Sequence, residues 1–110
     1  MSINRNKTKN NLVKIEKKLP KKFQPILWSK NIKNFDIYDD KVYIIHQILS
    51  YGSLDDIKIL KKIYSLDEIK YVFVNSPKRI YTRKIFIFIK DYILKIVNLL
   101  DEKYYVKDKL

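Results

Sequence analysis

Four carboxylates in two adjacent pairs, Asp55-Asp56 and Asp67-Glu68, are the first residues of this chain whose types and spacing raise the question of chemistry. Closely spaced acids hold magnesium or pass a proton between them. Each pair, however, follows a serine, in Ser53-Leu54-Asp55-Asp56 and Ser65-Leu66-Asp67-Glu68, and an Ile-Lys step follows each pair in turn. That is the spacing of an N-terminal capping box, in which the serine accepts from the third helical amide and the acid there reaches back to the serine's own amide. Acids in a first turn also interact favourably with the helix dipole, by about 0.3–1 kcal/mol. Helix initiation therefore accounts for all four without a metal. The longer reach of Glu68 predicts that the Ser65 box is the stronger of the two.

Other routes to catalysis are poorly supplied. Gly52-Ser53 followed by two acids has a superficial likeness to the Gly-Ser and Asp-x-Asp elements of nucleotidyltransferases, but those need strands, and here the glycine ends one helical pattern and the acids begin another. His46, the one histidine, lies in the middle of a helical pattern, with no serine–acid or cysteine constellation around it. One glycine cannot build a phosphate-cradling loop, and the absence of cysteine excludes disulfides and thiolate metal sites. The sequence predicts no catalytic residue, no metal site, no cofactor and no enzyme.

The basic residues are a second kind of candidate. In PKRIYTRK, Lys78, Arg79, Arg83 and Lys84 surround Tyr81 at the predicted start of a helix, and these five residues are the expected contacts for nucleic acid or for a partner. Arg5, Lys7, Lys9, Lys14, Lys17 and Lys18 form a basic arm, so that residues 1–18 are read as a flexible, solvated segment and 19–110 as a single helical domain. The net charge of +12 points to a polyanion. With 21 lysines against 3 arginines, 18 isoleucines and no alanine, the same excess also follows from AT-rich coding, so the position of the charges matters more than their number.

Positioning these groups falls to short helices. In LPKKFQPILW, Pro20 and Pro25 restrict the backbone, and a short helical turn is expected to lay Trp28 on the core. Asp39 or Asp40 is expected to cap a helix over 41–51, ended by Gly52 in a left-handed conformation. Two helices follow behind the serine caps, the second closing near Asn75, another candidate for the left-handed region, before Ser76-Pro77. Thr82 then caps a long C-terminal helix carrying Ile85, Phe86, Ile89, Tyr92, Ile93, Ile96, Val97 and Leu100; IFIFI alone also suits a strand, but the three-and-four spacing persists beyond usual strand length. The tail DEKYYVKDKL is polar enough to fray, unless Tyr104, Tyr105 and Val106 fold back. The fold class is all-α, a compact bundle of four or five short helices with a long C-terminal helix. Charged residues interrupt the most apolar window, so a cytoplasmic chain with no membrane span is expected.

LPKKFQPILW (19–28), the region of Asp36, IIHQILSYG (44–52), SLDDIKILKKIY (53–64), DEIKYVFVNS (67–76) and TRKIFIF (82–88) together resemble a family of small bacterial domains of unknown function. The pattern departs in the last helix, where Phe86 is followed by Ile87 and Phe88 in place of a tryptophan. Such domains are often encoded beside nucleotidyltransferase-like toxins of the abortive-infection type. The resemblance implies an antitoxin-like protein of a toxin–antitoxin system, acting by protein–protein interaction. Two alternatives stand beside it: a DNA- or RNA-binding regulator, which is an autoregulatory one if it represses its own operon, and a mobile-element inhibitor of a host nuclease.

Overall fold

The computed structural model describes residues 18–107. The expected basic arm, Lys18 excepted, lies outside the described residues. The chain is helical, with a short 3-10 turn at Lys21–Phe23 and another at Ile32–Asn34, followed by α1 (Lys41–Tyr51), α2 (Leu54–Ile63), α3 (Leu66–Asn75) and α4 (Arg83–Ile87). Apolar spacing fixes which faces meet. Ile44, Ile45, Ile48 and Leu49 of α1 are buried against Ile57 and Leu60 of α2 and Ile69, Val72 and Phe73 of α3. Leu54 and Leu66, each the first residue after its cap, stay exposed.

The two caps differ, and in the opposite sense to their expected strengths. Ser53 Oγ accepts from the Asp56 amide at 3.2 Å while Asp56 Oδ2 accepts from the Ser53 amide at 2.9 Å, which completes the reciprocal box. At the second cap Ser65 Oγ accepts from the Glu68 amide at 3.1 Å, but Glu68 Oε2 turns away to Lys41 Nζ at 3.0 Å. A cation on α1 has recruited the carboxylate that the second box needed.

Gly52 is required for a reason other than the expected left-handed turn. Its backbone is extended, at φ −83° and ψ 165°. A Cβ there would stand 2.7 Å from the Ile48 carbonyl oxygen and 3.0 Å from Asp56 Cβ, so glycine lets α1 and α2 follow each other with no connecting loop. Asn75 likewise avoids the left-handed region, and its Nδ2 donates to the Tyr71 carbonyl at 2.9 Å.

Trp28 is not on the core. Phe23 and Leu27, four positions apart on one side of the turn, are the fully buried pair, which leaves the adjacent Trp28 pointing outward at 60% exposure. Nor is there a long C-terminal helix. After Ile87 the helix widens into a π-helical segment over Phe88–Ile93, the Leu94 amide donates to the Ile89 carbonyl, and Lys95 takes φ 52°, the one non-glycine residue with positive φ among those described. Ile96 remains buried, whereas Val97 and Leu99 project almost fully into solvent.

The tail folds back. A 3-10 turn at Glu102–Tyr104 delivers Tyr105 and Val106 to the core, where Tyr105 packs 4.9 Å, centre to centre, from both Phe73 and Phe86. Its hydroxyl donates to the Phe73 carbonyl at 2.7 Å. Tyr104, its neighbour, stays exposed. No helix among the described residues is long and apolar enough to cross a membrane.

Candidate interaction surface

Pro77 stops α3 and Thr82 starts α4, its Oγ1 accepting from the Ile85 amide at 3.2 Å. Between them the chain bends at Arg79, and Tyr81 pairs in parallel with Val106: the Tyr81 amide donates to the Tyr105 carbonyl at 2.9 Å, and the Lys107 amide donates to the Tyr81 carbonyl at 3.0 Å. The predicted basic turn is thus joined to the returning tail.

That pairing separates the five predicted contact residues. Tyr81 is fully buried, among Phe73, Tyr105 and His46, and is a core residue with no surface to offer a ligand. Arg79 Nε donates to the Val106 carbonyl at 3.4 Å, and Arg83 Nε pairs with Glu102 Oε1 at 3.3 Å. Both arginines therefore brace the tail. Lys78 and Lys84 are the two that face solvent without such a task.

Behind the turn, His46 lies on the inner face of α1. Its Nε2 is 2.7 Å from the Ser76 carbonyl oxygen, which only accepts, so Nε2 carries the hydrogen and Nδ1 accepts from the Tyr81 hydroxyl at 2.6 Å. Burial lowers its pKa to about 4; the Ser76 carbonyl opposes this in part, and the positive charge of Lys78 adds to it. His46 is a neutral, fully satisfied joint between α1, the end of α3 and the basic turn.

The acids have similar structural duties. Asp56 is buried at the start of α2 and lies 3.1 Å from Lys22 Nζ, an ion pair in which Oδ1 lacks a well-directed hydrogen bond. Burial works against its ionisation, but the Ser53 amide and the Lys22 ammonium outweigh that and hold its carboxyl below the usual range. Asp40 Oδ2 accepts from the Asp36 amide at 2.8 Å and pairs with Lys30 at 3.1 Å, shaping the turn before α1 without capping it through its side chain. Among the described residues no three of the His, Asp and Glu side chains converge as metal ligands would.

Beside the basic turn the fold assembles a surface that sequence spacing did not single out. Trp28 leans on Tyr51, the last residue of α1, with ring centres 5.2 Å apart and planes inclined by 57°. Lys107 Nζ donates to the Tyr51 hydroxyl at 3.2 Å and lies 5.4 Å from that ring's centre. The same hydroxyl is 3.4 Å from the Ile80 carbonyl, tying the patch to the turn. Two exposed aromatics and a cation, drawn from positions 28, 51 and 107, form one continuous feature. The available signal was the Phe23–Leu27 spacing, which leaves Trp28 off the buried stripe.

Comparison with known proteins places part of this frame. No curated protein and no solved structure matches the chain. Residues 23–73 match the model of a family of unknown function (DUF6922), a span that holds Trp28, His46, Tyr51 and the three helices α1 to α3 nearly to the end of the last. Over that span the chain is similar to a domain family of unknown function, as the sequence resemblance implied, and the basic turn and the tail lie beyond it.

Proposed function

We propose that the chain is a non-enzymatic protein-interaction module, an antitoxin-like partner of a nucleotidyltransferase-type toxin, which it engages through Trp28, Tyr51 and Lys107. The observation that carries the docking surface is Trp28, a large apolar ring left 60% exposed and held against a second aromatic. Tryptophan, tyrosine and a flanking cation are the residue types that concentrate binding energy in protein interfaces. The ring pair is preorganised by the Tyr51 hydroxyl's two hydrogen bonds, which reduces the ordering cost of association. The class of partner comes from the sequence resemblance, and the net charge of +12 suits a partner with an acidic face.

Co-expression with the product of the adjacent gene tests the reading. Wild-type chain is expected to co-purify with it and to relieve its toxicity, and Trp28→Ala and Tyr51→Ala to lose both while keeping the wild-type circular dichroism. A wild-type pair that neither co-purifies nor changes toxicity sinks the proposal.

Nucleic-acid binding is the second reading, favoured by the outward-facing Lys78 and Lys84. Replacing these two leaves the tail's braces at Arg79 and Arg83 in place. If they meet phosphates, the log–log salt slope of DNA or RNA binding becomes shallower by about one for each phosphate no longer neutralised; an unchanged slope removes the turn from this role.

A further inference from the structure

A cleft built by residues 18–38 takes no part in the aromatic surface. It encloses about 420 Å³, within the ~300–1,000 Å³ typical of pockets that accept ligands. Leu19, Ile32, Phe35 and Ile37 supply its apolar lining, and Lys18, Lys21 and Lys33 stand around them. All three lysines are exposed, and none takes part in an ion pair among the described residues. One carboxylate, Asp36, shares the lining; its Oδ1 already accepts from the amides of Tyr38 at 2.7 Å and Asp39 at 2.9 Å.

An apolar hollow ringed by cations selects a ligand that is apolar in the middle and anionic at its edges. Nucleobases fit poorly. The Phe35 ring already has an aromatic partner in Tyr43 at 5.7 Å and a cationic one in Lys30 Nζ at 5.2 Å, which leaves the half-exposed Tyr38 as the other ring of the lining. Among the lining residues there is also no Arg, Asn or Gln to make planar, bidentate contacts with a base edge. The basic residues at 5, 7, 9, 14 and 17, set against one acid at 16, give the preceding segment the wrong sign for this rim. Lysine heads on flexible stems, in contrast, meet carboxylates at varied positions without fixed geometry.

We infer that the cleft binds an acidic amphipathic peptide segment of another protein, its apolar side chains in the hollow and its carboxylates on Lys18, Lys21 and Lys33. The site is separate from the Trp28 surface and stands whether or not the antitoxin reading does.

Fluorescence anisotropy on the full chain, with a labelled peptide in which glutamates alternate with leucine and phenylalanine, tests it. Saturable binding is expected, weakened roughly ten-fold or more by the double substitution Lys21→Glu with Lys33→Glu, and unchanged by Trp28→Ala. Both lysines are exposed, and circular dichroism checks that the variant is folded. The inference is overturned by any of three results: no saturable binding, an unaffected lysine variant, or equal binding of a thymidine oligonucleotide or of a glutamate–serine peptide at the same ionic strength. Failure of the antitoxin reading shows separately, as loss of co-purification with the adjacent gene product.

Discussion

The Tyr81 hydroxyl donates to His46 Nδ1 across 2.6 Å, joining two residues 35 positions apart and placing a phenol from a lysine- and arginine-rich turn inside the aromatic core. Removing it by Tyr81→Phe preserves the ring's packing against Phe73 and Tyr105 but leaves a buried imidazole nitrogen without a donor. The expected loss is about 1–3 kcal/mol of stability, read from urea unfolding at neutral pH. Were Tyr81 a surface residue, the same change would leave the unfolding midpoint where it was.

His46 also sets a pH dependence. Its pKa falls from 6.5 to about 4 on folding, chiefly because burial disfavours the imidazolium. Between these values the unfolded chain binds a proton that the folded chain excludes, so stability rises with pH across the window and is lost as pH falls through it. The full span is worth about 3 kcal/mol, most of it expressed between about pH 6.5 and pH 4.5. His46→Gln is expected to flatten the profile of unfolding midpoint against pH in that range, at the cost of a lower plateau at neutral pH. A wild-type profile that is already flat there contradicts the neutral, buried assignment.

Gly52→Ala tests the junction of α1 and α2. The dihedral angles suit alanine, but the Ile48 carbonyl 2.7 Å from the new Cβ is backbone and cannot swing aside. A loss of about 1–3 kcal/mol is expected from the enforced shift, seen as a lower thermal midpoint. An ordinary exposed glycine with the same dihedral angles would gain stability from the same change, through the reduced freedom of the unfolded chain.

Tyr105→Ala empties a site between Phe73 and Phe86. With the ring 2% exposed and its hydroxyl bonded to the Phe73 carbonyl, truncation is expected to cost about 3–5 kcal/mol, as for other large core aromatics. Tyr104→Ala, one position away and half exposed, is expected to cost less than about 0.5 kcal/mol. The contrast between the two separates a tail that belongs to the fold from one that merely trails it.

The middle of the chain is legible in the sequence because its signals are local. Three-and-four spacing marks 41–51, serine caps and acids in first turns mark 54–63 and 66–75 as well, and each signal acts within a few residues of the feature it specifies. The C-terminal third is not. Apolar spacing continues past Leu94, but the helix ends there because Lys95 turns to positive φ and the chain must bring Tyr105 to Phe73, a contact across 32 positions that no window detects. Tyr81 reads as exposed because cations flank it. Its place just before the Thr82 cap, with Phe86 at the fourth helical position, is the spacing of a hydrophobic staple and is the clue that the sequence does offer. Of the candidate surface, the cations of the turn can be read from sequence, whereas the Trp28–Tyr51–Lys107 patch exists only because three distant segments meet.

The pairing of Tyr81 with Val106 also bears on how the core is held shut. Tyr105 reaches Phe73 and Phe86 from 32 and 19 positions further along the chain, and the aromatic core around those two rings is not closed without it. Local opening of the segment around Tyr105 therefore uncovers Phe73 and Phe86 together, so the segment acts as a latch whose release exposes the aromatic centre to solvent.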